Sequence, residues 1–217
     1  MPLTDDTACD LVFYTHPWSR GQIARWMLEE TGAPYRQVVL GFGTAMKAPE
    51  YLALNPMGKV PTVVHGGRVV TEGAAICAYL ADAFPAAGLA PAPAQRADYY
   101  RWMFFAAGPL EGAVIDRSLG VAPNEKQQGM VGYGTYERVV DVLAAAVVRQ
   151  PFIAGAAFSA ADVYVGSHVL WGMQFGSLPK RPEFEDYAAR LVTRPAYAAG
   201  KDIDNALGAQ LAAANPA

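Results

Sequence analysis

Residues 11–84 switch repeatedly between two apolar periods. Leu11-Val12-Phe13-Tyr14 is a short β-prone run ended by Pro17, as expected of a buried strand feeding a loop. From Ser19 to Thr31 the spacing of Ile23, Trp26, Met27 and Glu30 is helical, and Gly32 is placed to stop the helix. Tyr35 to Leu40 alternates as a second strand. Ala48 to Leu54 predicts a short helix halted at Asn55-Pro56, because the residue before proline disfavours the α region. Thr62-Val63-Val64-His65 and Arg68-Val69-Val70-Thr71 flank Gly66-Gly67, whose residues both reach positive φ without a steric penalty, so these runs predict a β-hairpin. A helix over Glu72 to Phe84 closes the segment, with Ile76, Tyr79 and Leu80 on one side. The order β-α-β, short helix, β-β-α implies a small mixed sheet covered by helices, its first unit a parallel crossover.

After Phe84 the texture changes. Pro85 to Pro93 is rich in Pro and Ala, as linkers are, and no strand pattern follows it. Gln95 to Leu119, Asn124 to Gln150, Ser159 to Phe175 and Glu183 to Thr193 have helical character, separated by Gly and Pro. The reading is therefore an α/β domain over residues 10–84, a linker over 85–94 and an all-α domain over 95–217. Whether residues 1–9 are ordered, and whether the Ala-rich tail after Lys201 forms a last helix, stays open at this stage.

Composition narrows the function classes. The 217 residues are 53% hydrophobic and 17% charged, enough apolar material for a core. A net charge of -3 leaves no electrostatic footprint for nucleic acid or anionic lipid. The apolar runs, such as Val142 to Val148, fall short of the roughly 20 residues of a bilayer span. The opening Met1 to Asp6 lacks the basic and apolar regions of a signal peptide, so a cytoplasmic protein is expected. Cys9 and Cys77 make no CxxC pair, and His16, His65 and His168 lie far apart, so no metal site is expected. Cys9 reads as an incidental thiol and Cys77 as core packing.

The motifs carry a resemblance. Asn55-Pro56-Met57-Gly58-Lys59-Val60-Pro61, then the hairpin, then Thr71-Glu72-Gly73-Ala74-Ala75-Ile76 with Tyr79-Leu80, resembles the glutathione-binding half of the cytosolic glutathione transferases, of bacterial or serine type. Phe158-Ser159-Ala160-Ala161-Asp162 resembles the N-capping box of their helical half. The resemblance covers nearly the whole chain after residue 10. It implies a thioredoxin-like first domain, glutathione as co-substrate, no metal, an apolar electrophile, a detoxification role and a homodimer.

The resemblance also implies roles for residues. Val60, before a cis Pro61, would pair its backbone with the cysteinyl part of glutathione as an added strand does. Glu72 would take the γ-glutamyl ammonium and the Gly73 N–H its carboxylate, at a helix start whose unpaired N–H groups suit an anion. The family usually has Ser where Gly73 stands, so weaker glutathione binding is expected. Lys59 and Lys47 match positions that bind the glycyl carboxylate.

A thiolate is the nucleophile, and a hydroxyl donor at a helix start lowers a thiol's pKa. Ser19 has that place, five residues after Tyr14; the alternative is that it only N-caps the helix. Tyr14, Thr15 and His16 compete for the role. Trp18, with Tyr99, Met103 and Trp171, is expected to wall the electrophile pocket between the domains, although aromatic stripes pack more often than they bind. Ser159 and Asp162 read as a structural cap, since no Gly-x-Ser-x-Gly elbow accompanies them. Two further activities stay open: a glutathione-dependent peroxidase or disulfide reductase, and a non-catalytic ligand-binding module on the same fold.

Overall fold

A computed structural model describes residues 10–214 of the chain, which divide into two compact units. The first contains the segment up to Ala87 and the chain from Pro195 onward; the second runs from Gly88 to Arg194.

In the first unit, β1 (Leu11–Thr15), β2 (Arg36–Val39), β3 (Thr62–His65) and β4 (Arg68–Thr71) form one sheet in the order β2-β1-β3-β4. β1 pairs parallel with β2 and antiparallel with β3, and β3 and β4 make the expected hairpin, with Gly66 at φ 56° and Gly67 at φ 72°. Side chains alternate across a strand. Leu11, Phe13 and Thr15 are therefore buried on one face, while Val12 and Tyr14 point to the other. The buried face carries α1 (Gly21–Thr31) and α3 (Gly73–Ala83), with Phe13, Ile23, Met27, Val63, Ile76 and Leu80 in its core. The Cys77 thiol is also there, fully buried, and burial pushes it well above the usual thiol range. On the other face Tyr14 meets Tyr51 of the short helix α2 (Pro49–Leu52), ring centroids 5.5 Å apart.

The second unit is helical throughout: α4 (Ala97–Phe105), α5 (Glu111–Ser118), α6 (Glu125–Gln128), α7 (Tyr136–Val147), α8 (Ala160–Phe175) and α9 (Pro182–Val192). Two predicted long helices are broken. Pro109 cannot supply an N–H, and the chain takes a π turn over Ala106–Leu110 between α4 and α5. Between α6 and α7, Gly129, Gly132 and Gly134 interrupt the helix, which restarts where the Thr135 side chain accepts the Arg138 N–H at 3.1 Å. The capping box at the head of α8 is present. Asp162 is fully buried and accepts from the Ser159 N–H and hydroxyl, the Ile153 N–H and the Tyr187 hydroxyl at 2.7 to 3.0 Å. Even so, burial raises its pKa.

The tail forms a last helix, α10 (Pro195–Ala214), with Pro195 in its first turn. The sequence reading placed residues 95–217 in one helical domain; the contacts place α10 with the first unit instead. The reason is its packing on α1. A Cβ on Gly200 would lie 3.3 to 3.5 Å from Arg25 and Trp26, and Tyr197 meets the Trp26 ring edge-on at 5.0 Å.

Candidate functional site

Strand register brings the predicted glutathione-site segments together. Tyr14 pairs with Thr62, and Thr62 with Thr71, so the end of β1, the start of β3 and the end of β4 share one end of the sheet. β2 runs parallel to β1 and leaves at the same end, where the Leu40 N–H reaches the Thr15 carbonyl at 2.9 Å. The loop holding Ser19, the segment holding Lys47, the Val60-Pro61 step and the Glu72-Gly73 step all issue from this end.

At the end of β1 the chain turns tightly into α1. The Ser19 hydroxyl donates to the His16 carbonyl at 2.6 Å and accepts the Gly21 N–H at 2.9 Å, so in this state it fastens the turn. Thr15 is buried, and its hydroxyl has no hydrogen-bond partner among the described residues. A Cβ on Gly21 would fall 2.0 Å from the Thr15 Oγ1, which is why the helix start sits so close to the strand end. His16 is buried against Phe42 at 4.0 Å, its Nδ1 accepts the Trp18 N–H at 3.3 Å, and burial lowers its pKa. Trp18 is 60% exposed. Tyr14 projects from the opposite sheet face, towards Tyr51.

The Asn55–Pro61 loop is held from within. The Asn55 side chain donates to the Lys59 carbonyl at 2.8 Å and accepts the Met57 N–H at 3.1 Å; the Tyr51 hydroxyl reaches the same Lys59 carbonyl at 2.6 Å. The Val60-Pro61 peptide is cis. No turn or loop hydrogen bond among the described residues uses the Val60 N–H or C=O. The Lys47 ammonium donates to the carbonyls of Met57 and Gly58 at 3.2 and 2.9 Å, whereas the Lys59 side chain is exposed. Tyr51 and Asn55 were not assigned to this site from sequence; Asn55 carries a signal, since its side chain can mimic a turn, but Tyr51 carries none.

Glu72 precedes the first residue of α3 at φ 67° and ψ 122°, the one non-glycine residue with positive φ among the described residues. Such backbone costs about 1–3 kcal/mol and collects at functional sites. Its side chain is exposed and makes no capping bond, which leaves the carboxylate beside the start of α3 without a partner among the described residues.

In the second unit Tyr99 and Met103 are 1% and 2% exposed, packed rather than open, and Trp171 is half-buried. A cavity of about 380 Å³ there is lined by Arg117, Tyr133 and Tyr136 and includes none of these three. Among the described residues no group of His, Cys, Asp and Glu could hold a metal ion, and no helix is long and apolar enough to cross a membrane. Cys9 lies outside the described residues.

Residues 17–83 match the family model of the glutathione S-transferase N-terminal domain. The chain is 32% identical over 171 residues, 72% of its length and 73% of the relative's, to glutathione S-transferase 3 of Zea mays. It is 29% identical over 198 residues, 84% of its own length and 88% of the relative's, to glutathione S-transferase A of Pleuronectes platessa. Among solved structures, the theta class glutathione S-transferase of Xanthomonas axonopodis pv. citri, with glutathione bound, is 30% identical. It superposes with a TM-score of 0.71 over 88% of this chain and 97% of that one. With the sheet, its cis Val60-Pro61 step and a relative this similar over most of its length, the chain belongs to the glutathione S-transferase family.

Proposed function

We propose that this transferase joins the sulfur of glutathione to a small apolar electrophile, with glutathione held by Val60, Glu72, Gly73, Lys47 and Lys59. The observation that carries the reading is the convergence of four loops at one end of the sheet, where the register of Tyr14, Thr62 and Thr71 sets their spacing. The Val60 N–H and C=O supply strand-like pairing for the cysteinyl residue. Glu72 receives the ammonium of the γ-glutamyl end, and the N–H groups at the head of α3 receive its carboxylate. Lys47 keeps one ammonium hydrogen beyond its two carbonyl bonds for the glycyl carboxylate, and Lys59 adds a second positive charge.

In this reading Ser19 turns its hydroxyl from the His16 carbonyl to the glutathione sulfur, exchanging one hydrogen bond for another. The thiol proton passes to solvent, and the hydroxyl and the positive end of α1 stabilise the thiolate. A sulfur lone pair forms the new C–S bond while the leaving group departs with its electron pair. Trp18 offers exposed aromatic surface beside this loop to the electrophile. The enzyme works as a homodimer, which light scattering at working concentration checks.

A pH titration of bound glutathione thiolate absorbance, with Ser19→Ala alongside, tests the assignment. The bound thiol titrates well below free glutathione, and the substitution removes that shift while lowering kcat/KM about a hundredfold. A shift that survives in Ser19→Ala moves the role to Thr15, whose hydroxyl has no partner among the described residues. Binding without any shift favours the non-catalytic module. Faster turnover of a peroxide or a mixed disulfide than of an aryl halide favours the reductase.

A further inference from the structure

The first unit holds a second concavity, on the sheet face away from α1. Its volume is about 280 Å³, and Val38 and Leu40 of the β2 side, Leu54 after α2, and the rings of Tyr14 and Tyr51 line it. Because Thr15 is buried on the α1 face and Tyr14 alternates to the other, this cavity opens on the face opposite the Ser19 turn. None of Ser19, Val60, Glu72 or Gly73 lines it.

Ala45 and Ala48 and two charged side chains also line the cavity. Arg36, half-buried on β2, has no hydrogen bond or ion pair among the described residues, and Glu50 on α2 is exposed and likewise unpaired. An unpaired guanidinium at an apolar wall is a planar, permanently charged fork that fits a carboxylate edge. The two tyrosine rings, tilted by 43°, present aromatic surface for a flat ring. The volume sits at the small end for ligand pockets, so it takes one or two rings. Glu50 at the same cavity disfavours a doubly charged group such as a phosphate, since like charges repel.

We propose that this cavity binds a small aromatic monocarboxylate, its ring on Tyr14 and Tyr51 and its carboxylate on Arg36, independently of the glutathione site. The proposal goes beyond the transferase reading and uses none of the residues proposed to touch glutathione; Tyr51 holds the Asn55–Pro61 loop by its hydroxyl and offers only its ring to this cavity.

Calorimetry with 2-naphthoate on the full chain tests it, with and without saturating S-hexylglutathione. One molecule binds per chain, and S-hexylglutathione leaves its affinity within about twofold. Arg36→Gln weakens binding about tenfold, the worth of a charge-assisted hydrogen bond pair, and Glu50→Gln tightens it. Val38→Phe, which fills the cavity from the strand, abolishes binding while leaving glutathione affinity unchanged. Thermal melts of each variant separate loss of the site from loss of the fold. Displacement of 2-naphthoate by S-hexylglutathione, or affinity in Arg36→Gln and Val38→Phe equal to that of the unsubstituted chain, overturns the proposal. So does 2-naphthyl phosphate binding more tightly than 2-naphthoate.

Discussion

The Arg25 guanidinium meets the Asp204 carboxylate at 3.3 Å, tying α1 to α10 across 179 residues of sequence, with both side chains almost completely buried. Arg25 also donates to the Tyr35 hydroxyl and the Gln37 side chain, each at 2.5 Å, and lies over the Phe13 and Tyr35 rings. The guanidinium is thus well served. The carboxylate is not: its second oxygen has no partner among the described residues, and Glu29 adds like charge nearby, while Lys201 and Arg25 oppose the effect.

Burial therefore pushes the Asp204 pKa up to about 6. The sign follows from linkage. The folded state holds this proton above the pH at which the unfolded chain, near 3.9, has lost it, so the group's contribution to stability falls as pH rises from about 4 to 6. Asp204→Asn removes that titration. The stability of the wild type relative to the variant should fall by about 2–3 kcal/mol between pH 4 and pH 7, read from urea denaturation at each pH. A difference that stays constant across that range would place the Asp204 pKa near its ordinary value.

Gly21 supports a second prediction. A methyl group there meets the Thr15 Oγ1 at 2.0 Å, and the Ser19 Oγ lies 3.0 Å from the same point. Overpacking of this kind costs about 1–3 kcal/mol. Gly21→Ala should destabilise by that amount, and Thr15→Ala in the same chain should recover much of it, because the clashing atom is gone. Additive costs in the four-variant cycle would show that α1 shifts to make room.

These contacts explain how much could be read from the chain alone. The hairpin was legible because Gly66-Gly67 and its flanking strands are local, and the cap at Ser159 and Asp162 because three residues determine it. The candidate site was legible only as separate motifs, and their meeting depends on β1 pairing with β3, which no local pattern states. The positive φ at Glu72 was hidden, since the residues that advertise it are Gly and Asn. The tail helix α10 was left open from sequence, and nothing near it announced that Asp204 would reach Arg25. The break at Pro109 was visible as a proline and was overridden by the helical apolar spacing around it.

Gly73 begins α3 where relatives of the serine-bearing pattern would add a hydroxyl to the γ-glutamyl contacts. Gly73→Ser should strengthen glutathione binding by about 0.5–1.5 kcal/mol, the net worth of one hydrogen bond. Calorimetry checks this against an internal control: Gly73→Ala stabilises the helix similarly but supplies no donor, so it should leave the affinity unchanged.

Glu72 separates strain from binding, because its two consequences have opposite signs. Its backbone at φ 67° suits glycine, and its exposed carboxylate makes no cap bond that the fold would miss. Glu72→Gly should leave the fold unchanged or more stable by up to about 1 kcal/mol, the relief of the positive φ set against glycine's greater freedom in the unfolded chain. The same change deletes the proposed partner of the γ-glutamyl ammonium and should weaken glutathione binding by about 1.5–3 kcal/mol, as for a hydrogen bond to a charged group. Glu72→Gln keeps the strain and loses only the charge, so it should lose affinity without gaining stability. Melting temperature and glutathione affinity, measured together on the three proteins, distinguish a residue held in strain to meet a ligand from one that merely starts a helix. In the second case all three bind glutathione alike.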